Sequence, residues 1–390
     1  MCLHRTCALC AIARRIAIRR RIFDQGAQPA HCASSRWKPP SGEKGSSAEE
    51  RNLRPVRHRA ENRALRVRFI GEEADMRHAY LIIAHAQWDQ LERLLRLLDH
   101  SDNDLYIHID RKARDCPVDR LRAAVRSSGV EIVQRYRIYW GSFEMVEATL
   151  LLLEMARRRG YGYYHLLSGM DMPTRPQAEI HAFFAQNAGK EFVEFSTDAS
   201  REANREVGRR ARLYHLFMHF SRRFRLRPLN WAFRQADRAC LLVQMLLGVD
   251  RLRRFPGLEV RYGSSWFSIT DELAACVLER SDWIREVFRF ANSADELFLQ
   301  TVVHSTPFRD RLYHPEYDGS CLANQRLVDW KRGRNGSPYT FRLEDFDQIR
   351  ASGCMFARKF SMDADRALVD RMTELAGGAP EPSNRKSQGE

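Results

Sequence analysis

The tract 163–175, YYHLLSGMDMPTR, ends an apolar run on Ser168 and Gly169, delivers one carboxylate at Asp171, and is closed by Pro173. A carboxylate just past a buried strand is where an α/β protein often does chemistry, and equally where a turn or helix start places one. His85, Asp110 and Glu194 stand at the ends of comparable runs, beside Ser168. Several carboxylates near one another, with arginine and lysine supplied downstream, suit an enzyme that binds a phosphorylated donor. Competing chemistries lack their motifs: the chain has no P-loop, no G-x-G-x-x-G between a strand and a helix, and no G-x-S-x-G elbow.

One carboxylate is too few for a hard divalent ion without help. Literal D-x-D strings do occur, at Asp102/Asp104, Asp345/Asp347 and Asp363/Asp365. The first precedes its strand, and the other two lie at predicted helix starts, where Asp is a favoured cap. All three read as structural, so no metal site and no cofactor are expected.

These residues need a sheet to hold them. From residue 79 apolar runs alternate with helical spacing: AYLIIAHA (79–86), DLYIHID (104–110), EIVQRY (131–136), YYHLLS (163–168) and EFVEFS (191–196) as strands, with helices over 90–100, 118–128, 142–159 and 178–187. That alternation predicts a mostly parallel α/β sheet covered on both faces. The pattern resumes with YGSSWFSIT (262–270), a helix from Asp271, another at ADELFLQTVVHS, a short strand PYTFR (338–342), and closing helices near 343–352 and 363–375. Within SADEL, Ser293 and Glu296 have the spacing of a capping box.

The net charge of +14 is concentrated. Residues 1–75 carry +8, residues 201–254 carry +10 with fourteen arginines and no lysine, and the remaining 261 carry −4. Residues 1–75 lack sustained hydrophobic periodicity and are expected to be a disordered basic extension, a mis-assigned start before Met76, or a transit peptide. The body is expected to span 76–377, with 378–390 a disordered tail. Residues 201–254 interleave arginine with Phe217, Phe220, Phe224 and Trp231 at helical spacing, and read as a basic helical insertion. Five widely spaced cysteines in the body, without a C-x-x-C, suit a reducing compartment. The longest apolar run, 240–249, spans half of the ~20 residues needed to cross a bilayer. A non-catalytic basic protein for nucleic acid or anionic membrane is the rival class; no specific nucleic-acid motif supports it.

In order, AYLIIAHAQWDQLERLL, YIHIDRK, YYHLLSGMDMP, GSSWFSIT, SADELFLQT and FARKF resemble the core-2/I-branching β-1,6-N-acetylglucosaminyltransferase family, which includes the peptide O-xylosyltransferases. The resemblance runs from about 78 to 362. It implies a GT-A-like fold and inverting, metal-independent transfer of N-acetylglucosamine or xylose from a UDP-sugar to a glycan, lipid-linked or peptide acceptor. It places the base on Glu296, with Asp295 beside it, and the cations for the leaving diphosphate on Arg342 and Lys359, with Arg358 as a neighbour able to replace Lys359. It also implies donor contacts for Ala84, His85, Asp110, Ser168 and Asp171. Glu194 and Trp266 are then expected on substrate, although a lone tryptophan is as readily core, and Glu296 as a mere cap stays open. The missing anchor and cysteine framework of animal members imply a bacterial-type cytoplasmic enzyme, at the inner face of a membrane if the arginine segment touches lipid.

Overall fold

The computed structural model describes residues 77–196, 207–208, 210–217, 220, 226–334 and 336–377. The readings of 1–75 as an extension, of 378–390 as a tail, and of Phe224 lie outside the described residues.

Strands β1 (His78–Ala84), β2 (Asn103–Ile109), β3 (Gly129–Val133) and β4 (Tyr163–Ser168) form the parallel half of a six-stranded sheet, ordered β3-β2-β1-β4-β7-β6. Central β1 is buried at every position, which explains its uninterrupted apolar sequence. Helices α1 (Trp88–Leu98), α2 (Val118–Ala123), α3 (Glu144–Arg157) and α4 (Gln177–Gln186) connect these strands and continue the chain. Two apolar clusters sandwich the sheet, one built on Leu81, Leu152 and Phe267, the other on Ile82, Leu94 and Phe184. The arrangement is α/β, mostly parallel in its core, and matches a GT-A-like fold.

One strand of the sheet, β7 (Gly263–Thr270), runs the other way, so that β6 (Phe192–Phe195) beyond it points in the same direction as β4. β6 and β7 pair antiparallel with each other, and β7 pairs antiparallel with β4. The long excursion between them brings the chain back at the end of the sheet it left, with Phe195 opposite Gly263, so no crossover to the other end is needed. Within that excursion α5 (Arg227–Leu246) is the expected basic helix. After β7 come α6 (Asp271–Glu279), α7 (Ser281–Phe288), a 3₁₀ turn at Ala294–Glu296, α8 (Phe298–His304) and α9 (Cys321–Asn324).

A second sheet, β5-β9-β8, carries part of the site on three short strands: β5 (Asp171–Pro173), β8 (Arg326–Val328) and β9 (Phe356–Arg358). Helices α10 (Phe346–Ala351) and α11 (Arg366–Leu375) close over its own apolar cluster. Three-residue strands show no readable alternation, and the expected strand at 338–342 is not one. Phe341 there is buried and its N–H donates to the Lys359 carbonyl, a single rung rather than a ladder. The helix expected over 118–128 stops at Ala123, because the Asp99 carboxylate takes the N–H groups of Arg126, Ser127 and Ser128, each at 2.8 Å.

Candidate active site

The three D-x-D strings serve the fold. Asp104 is buried and bound by Arg77, Arg159, Tyr161 and the Gly129 N–H. Asp345 accepts from the Arg342 N–H, and Asp365 caps α11 at the Leu368 N–H. Asp171 is wholly buried too: one oxygen accepts from the Ser168 N–H at 3.0 Å, the other from Ser168 Oγ at 2.7 Å. Its charged neighbour is Arg358, whose Nε stands 3.6 Å away.

At the ends of adjacent β1 and β2, the Asp110 N–H donates to the Ala84 carbonyl, and the Asp110 carboxylate accepts from the Lys112 N–H with Lys112 Nζ at 3.2 Å. Burial holds His85 below its ordinary pKa; Asp110 opposes this, and Lys112 and Lys359 add lesser downward pulls. Ala84, His85, Asp110 and Lys359 therefore share one neighbourhood. Lys359 reaches Ser337 Oγ at 2.8 Å and is also lowered, by burial first and then by Arg358.

Arg358 lies with its guanidinium 4.0 Å from the centre of the Trp266 ring. Its Nε and Nη1 are buried without a hydrogen-bond partner. Buried donors of this kind are costly unless something satisfies them, and an anionic ligand would. Arg342 is exposed, and its guanidinium holds the Ala364 carbonyl.

Trp266 sits on β7, and β7 leads from these cations to a carboxylate cluster. Gly263 opens the strand where only glycine fits, since a Cβ would meet the Glu194 carbonyl oxygen at 2.1 Å. The register between β6 and β7 shifts around Glu194, a bulge that turns its side chain out of the ladder. Burial pushes the Glu194 carboxyl up to about 7, helped by Glu296 and opposed by the Ser264 backbone. Ser265 Oγ donates to Asp295 at 2.7 Å, and burial raises Asp295 as well.

Glu296 is not tying off a helix. Ser293 has left-handed φ (50°), caps nothing, and bonds Asn292 instead. The Glu296 carboxylate, a quarter exposed, is held by the Arg210 guanidinium and hydrogen-bonded to Tyr262. Burial and then Asp295 push it up to about 7, with Arg210 pulling the other way. Arg210 itself lies 4.7 Å from the Tyr262 ring. Nothing in the sequence marked Arg210, 86 positions away from Glu296. Lys112 lay within the quoted YIHIDRK, unremarked.

Among the described residues, no three His, Cys, Asp or Glu side chains converge so as to hold a metal ion. The site thus joins fixed cations, an aromatic face and carboxyl groups poised near neutrality along one strand. The model of the Core-2/I-branching enzyme family matches residues 78–350. The chain belongs to the Core-2/I-branching enzyme family. These are glycosyltransferases, and the match covers Glu194, Trp266 and Glu296 but stops short of Arg358 and Lys359.

Relatives include "Xylosyltransferase 2" of Bos taurus, 24% identical over 320 residues, and "Xylosyltransferase 1" of Homo sapiens, 22% identical over 317. Each alignment covers 76% of this chain but 33% and 30% of the relative, so the chain spans about a third of their length. The crystal structure of mouse xyloside xylosyltransferase 1 in its apo form, 13% identical, covers 72% of this chain and 96% of its own at a TM-score of 0.31, too low to carry an argument.

Proposed function

We propose that this family member transfers a sugar, N-acetylglucosamine or xylose, from UDP to an acceptor hydroxyl with inversion and without a metal ion. The observation that supports this reading is that β7 carries Trp266, against Arg358 and next in sequence to Ser265, which binds Asp295 beside the near-neutral Glu296, with Lys359 adjacent to Arg358. Glu296, ionised beforehand, takes the proton of the acceptor hydroxyl as its oxygen attacks the anomeric carbon. The bond from that carbon to the diphosphate oxygen breaks, and UDP leaves with the electron pair. Lys359 and Arg358 then face the developing charge as preorganised cations, joined by Arg342. Arg358 offers its unpartnered N–H groups; Arg342 would first give up the Ala364 carbonyl. Asp110 and the backbone at Ala84 and His85 hold the nucleoside side, while Glu194, Asp295 and Trp266 meet the sugars. Ser168 and Asp171 support the donor pocket through Arg358.

The names of the relatives favour xylose as the first donor to try. A glycan, lipid-linked or peptide acceptor fits this chemistry equally. Five free thiols among the described residues suit a reducing compartment such as the cytoplasm.

Transfer assays with both donors test the reading. Glu296→Gln should abolish transfer while UDP affinity stays within a few-fold. Lys359→Ala and Arg358→Ala should each weaken UDP about ten- to hundredfold, as loss of a charge-assisted hydrogen bond does. Full turnover by Glu296→Gln would refute the assignment of the base.

A further inference from the structure

Helix α5 is turned inside out for a soluble surface helix. Its inward side is polar: the Asp237 carboxylate accepts from the Phe217 N–H at 3.2 Å, and the Gln244 side chain bonds the N–H and carbonyl of Tyr214 at 2.8 and 2.9 Å. Its outward side is apolar. At 100° per residue, Trp231, Leu242 and Leu246 fall within about 60° of one another, roughly opposite Asp237 and Gln244. Trp231 is 59% exposed and Leu246 78%, and Leu226, Leu242, Val243, Met245 and Leu247 are exposed beside them. A contiguous apolar face of this kind marks an interaction site.

Its surroundings select the partner. Arg234 and Arg238 stand exposed on the flank of that face, and Arg253 and Arg254 are exposed just past the end of the helix. Residues 226–254 hold six arginines and two acids. Both acids are engaged by the protein, Asp237 as above and Asp250 by Arg212 at 2.6 Å. An apolar strip edged by exposed arginines, of which Arg254 reaches Glu286 at 3.8 Å, complements an anionic lipid surface. With Arg234, Asp237 and Arg238 at mid-helix, α5 is not a span; no described helix is long and apolar enough to cross a membrane.

We propose that the outward face of α5 is a membrane-docking surface, lying flat in the headgroup region of an anionic bilayer. The docked face is tied to the site. The segment that Asp237 and Gln244 fasten to α5 continues back to Arg210, the partner of Glu296. Docking would thus present the carboxylate end of the cleft near the lipid surface. This inference does not depend on which sugar is transferred.

Flotation of the full-length protein with phosphatidylcholine vesicles, with and without 30% phosphatidylglycerol, tests it. Binding should appear on the anionic vesicles and fall as salt is raised. Leu242→Glu/Leu246→Glu should weaken it about a hundredfold, two buried leucines being lost, with circular dichroism and melting unchanged. Quenching of tryptophan fluorescence by brominated lipid should be lost in Trp231→Phe, which keeps the fold if the double variant does not. Equal binding by the double variant would assign the lipid contact to the basic residues elsewhere and overturn the proposal. So would a wild-type dimer that becomes monomeric in the double variant while neither binds vesicles, since a second copy would then be the occupant.

Discussion

Glu296 can act as a base only while ionised, and its environment sets that condition close to neutrality. Burial and Asp295 raise its carboxyl to about 7, and Arg210 restrains the rise. The acid limb of kcat/KM is therefore expected near pH 7, with activity rising as pH increases through it. Removing the guanidinium removes the restraint. In Arg210→Ala the limb should move to higher pH, by about 1–3 units for the loss of an adjacent opposite charge. An unchanged limb with a lower plateau would make Arg210 a structural partner only. At this scale the sequence was half legible. Residue type at a strand end picked out Asp110 and Glu194, whereas Glu296 and Lys359 were marked only by the family resemblance. Arg210 escaped because a partner contributed by a distant insertion leaves no local pattern.

The elements that hold the site explain why Asp171 stands alone after β4. It fastens the Ser168 turn, starts β5, and faces the buried Arg358. One carboxylate here balances a protein cation, so a second for a metal is not needed to account for it. Asp171→Ala should cost about 3–5 kcal/mol in urea unfolding, the penalty for stripping a buried charge of its partner; Asp171→Asn should cost less, since an oxygen still accepts from Ser168. A change under about 0.5 kcal/mol in the alanine variant, the level of an ordinary surface substitution, would contradict this role. The long, two-sided strands β1, β2 and β4 could be read from their apolar runs, and β5, β8 and β9 could not. Three residues carry too little periodicity, and their pairing is set by contacts far along the chain. The reversed direction of β7 was hidden for a related reason: it depends on where the long excursion returns.

Across the whole molecule, ionisable groups buried in opposite senses set the pH response. His78 and His165 lie stacked with His181 and Tyr80 inside the sheet, and burial, with neighbouring cationic groups, holds both well below the ordinary histidine range. The unfolded chain binds their protons first, so their contribution is intact above about pH 6.5 and shrinks as pH falls below it. Glu191, Glu194 and Glu296, each raised to about 7, act in the other direction: their contribution is complete below about pH 4.5 and is lost as pH rises through 7. His165→Phe removes one histidine from this balance, and Ser268 keeps its bond from Arg326. Its stability should therefore fall less than that of the wild type between pH 7.5 and 5, read as the shift in urea midpoint. An equal or larger fall would mean that the buried histidine cluster does not govern acid sensitivity. Charge at this scale was visible in the sequence as two basic segments, yet the apolar outer face of α5 appeared only once its inward residues were known.

The central claim is that fixed cations, Lys359 and Arg358 with Arg342, hold the leaving diphosphate. Thermal-shift titration of the full-length protein with UDP, UDP-N-acetylglucosamine and UDP-xylose, each in EDTA and in Mn²⁺, tests it most directly. Ligand at ~100 times its dissociation constant stabilises the fold by about 2.7 kcal/mol, a readable shift. The account predicts a UDP-dependent shift that is the same in EDTA and Mn²⁺ and is diminished in Lys359→Ala. A shift that appears only with Mn²⁺ would contradict it.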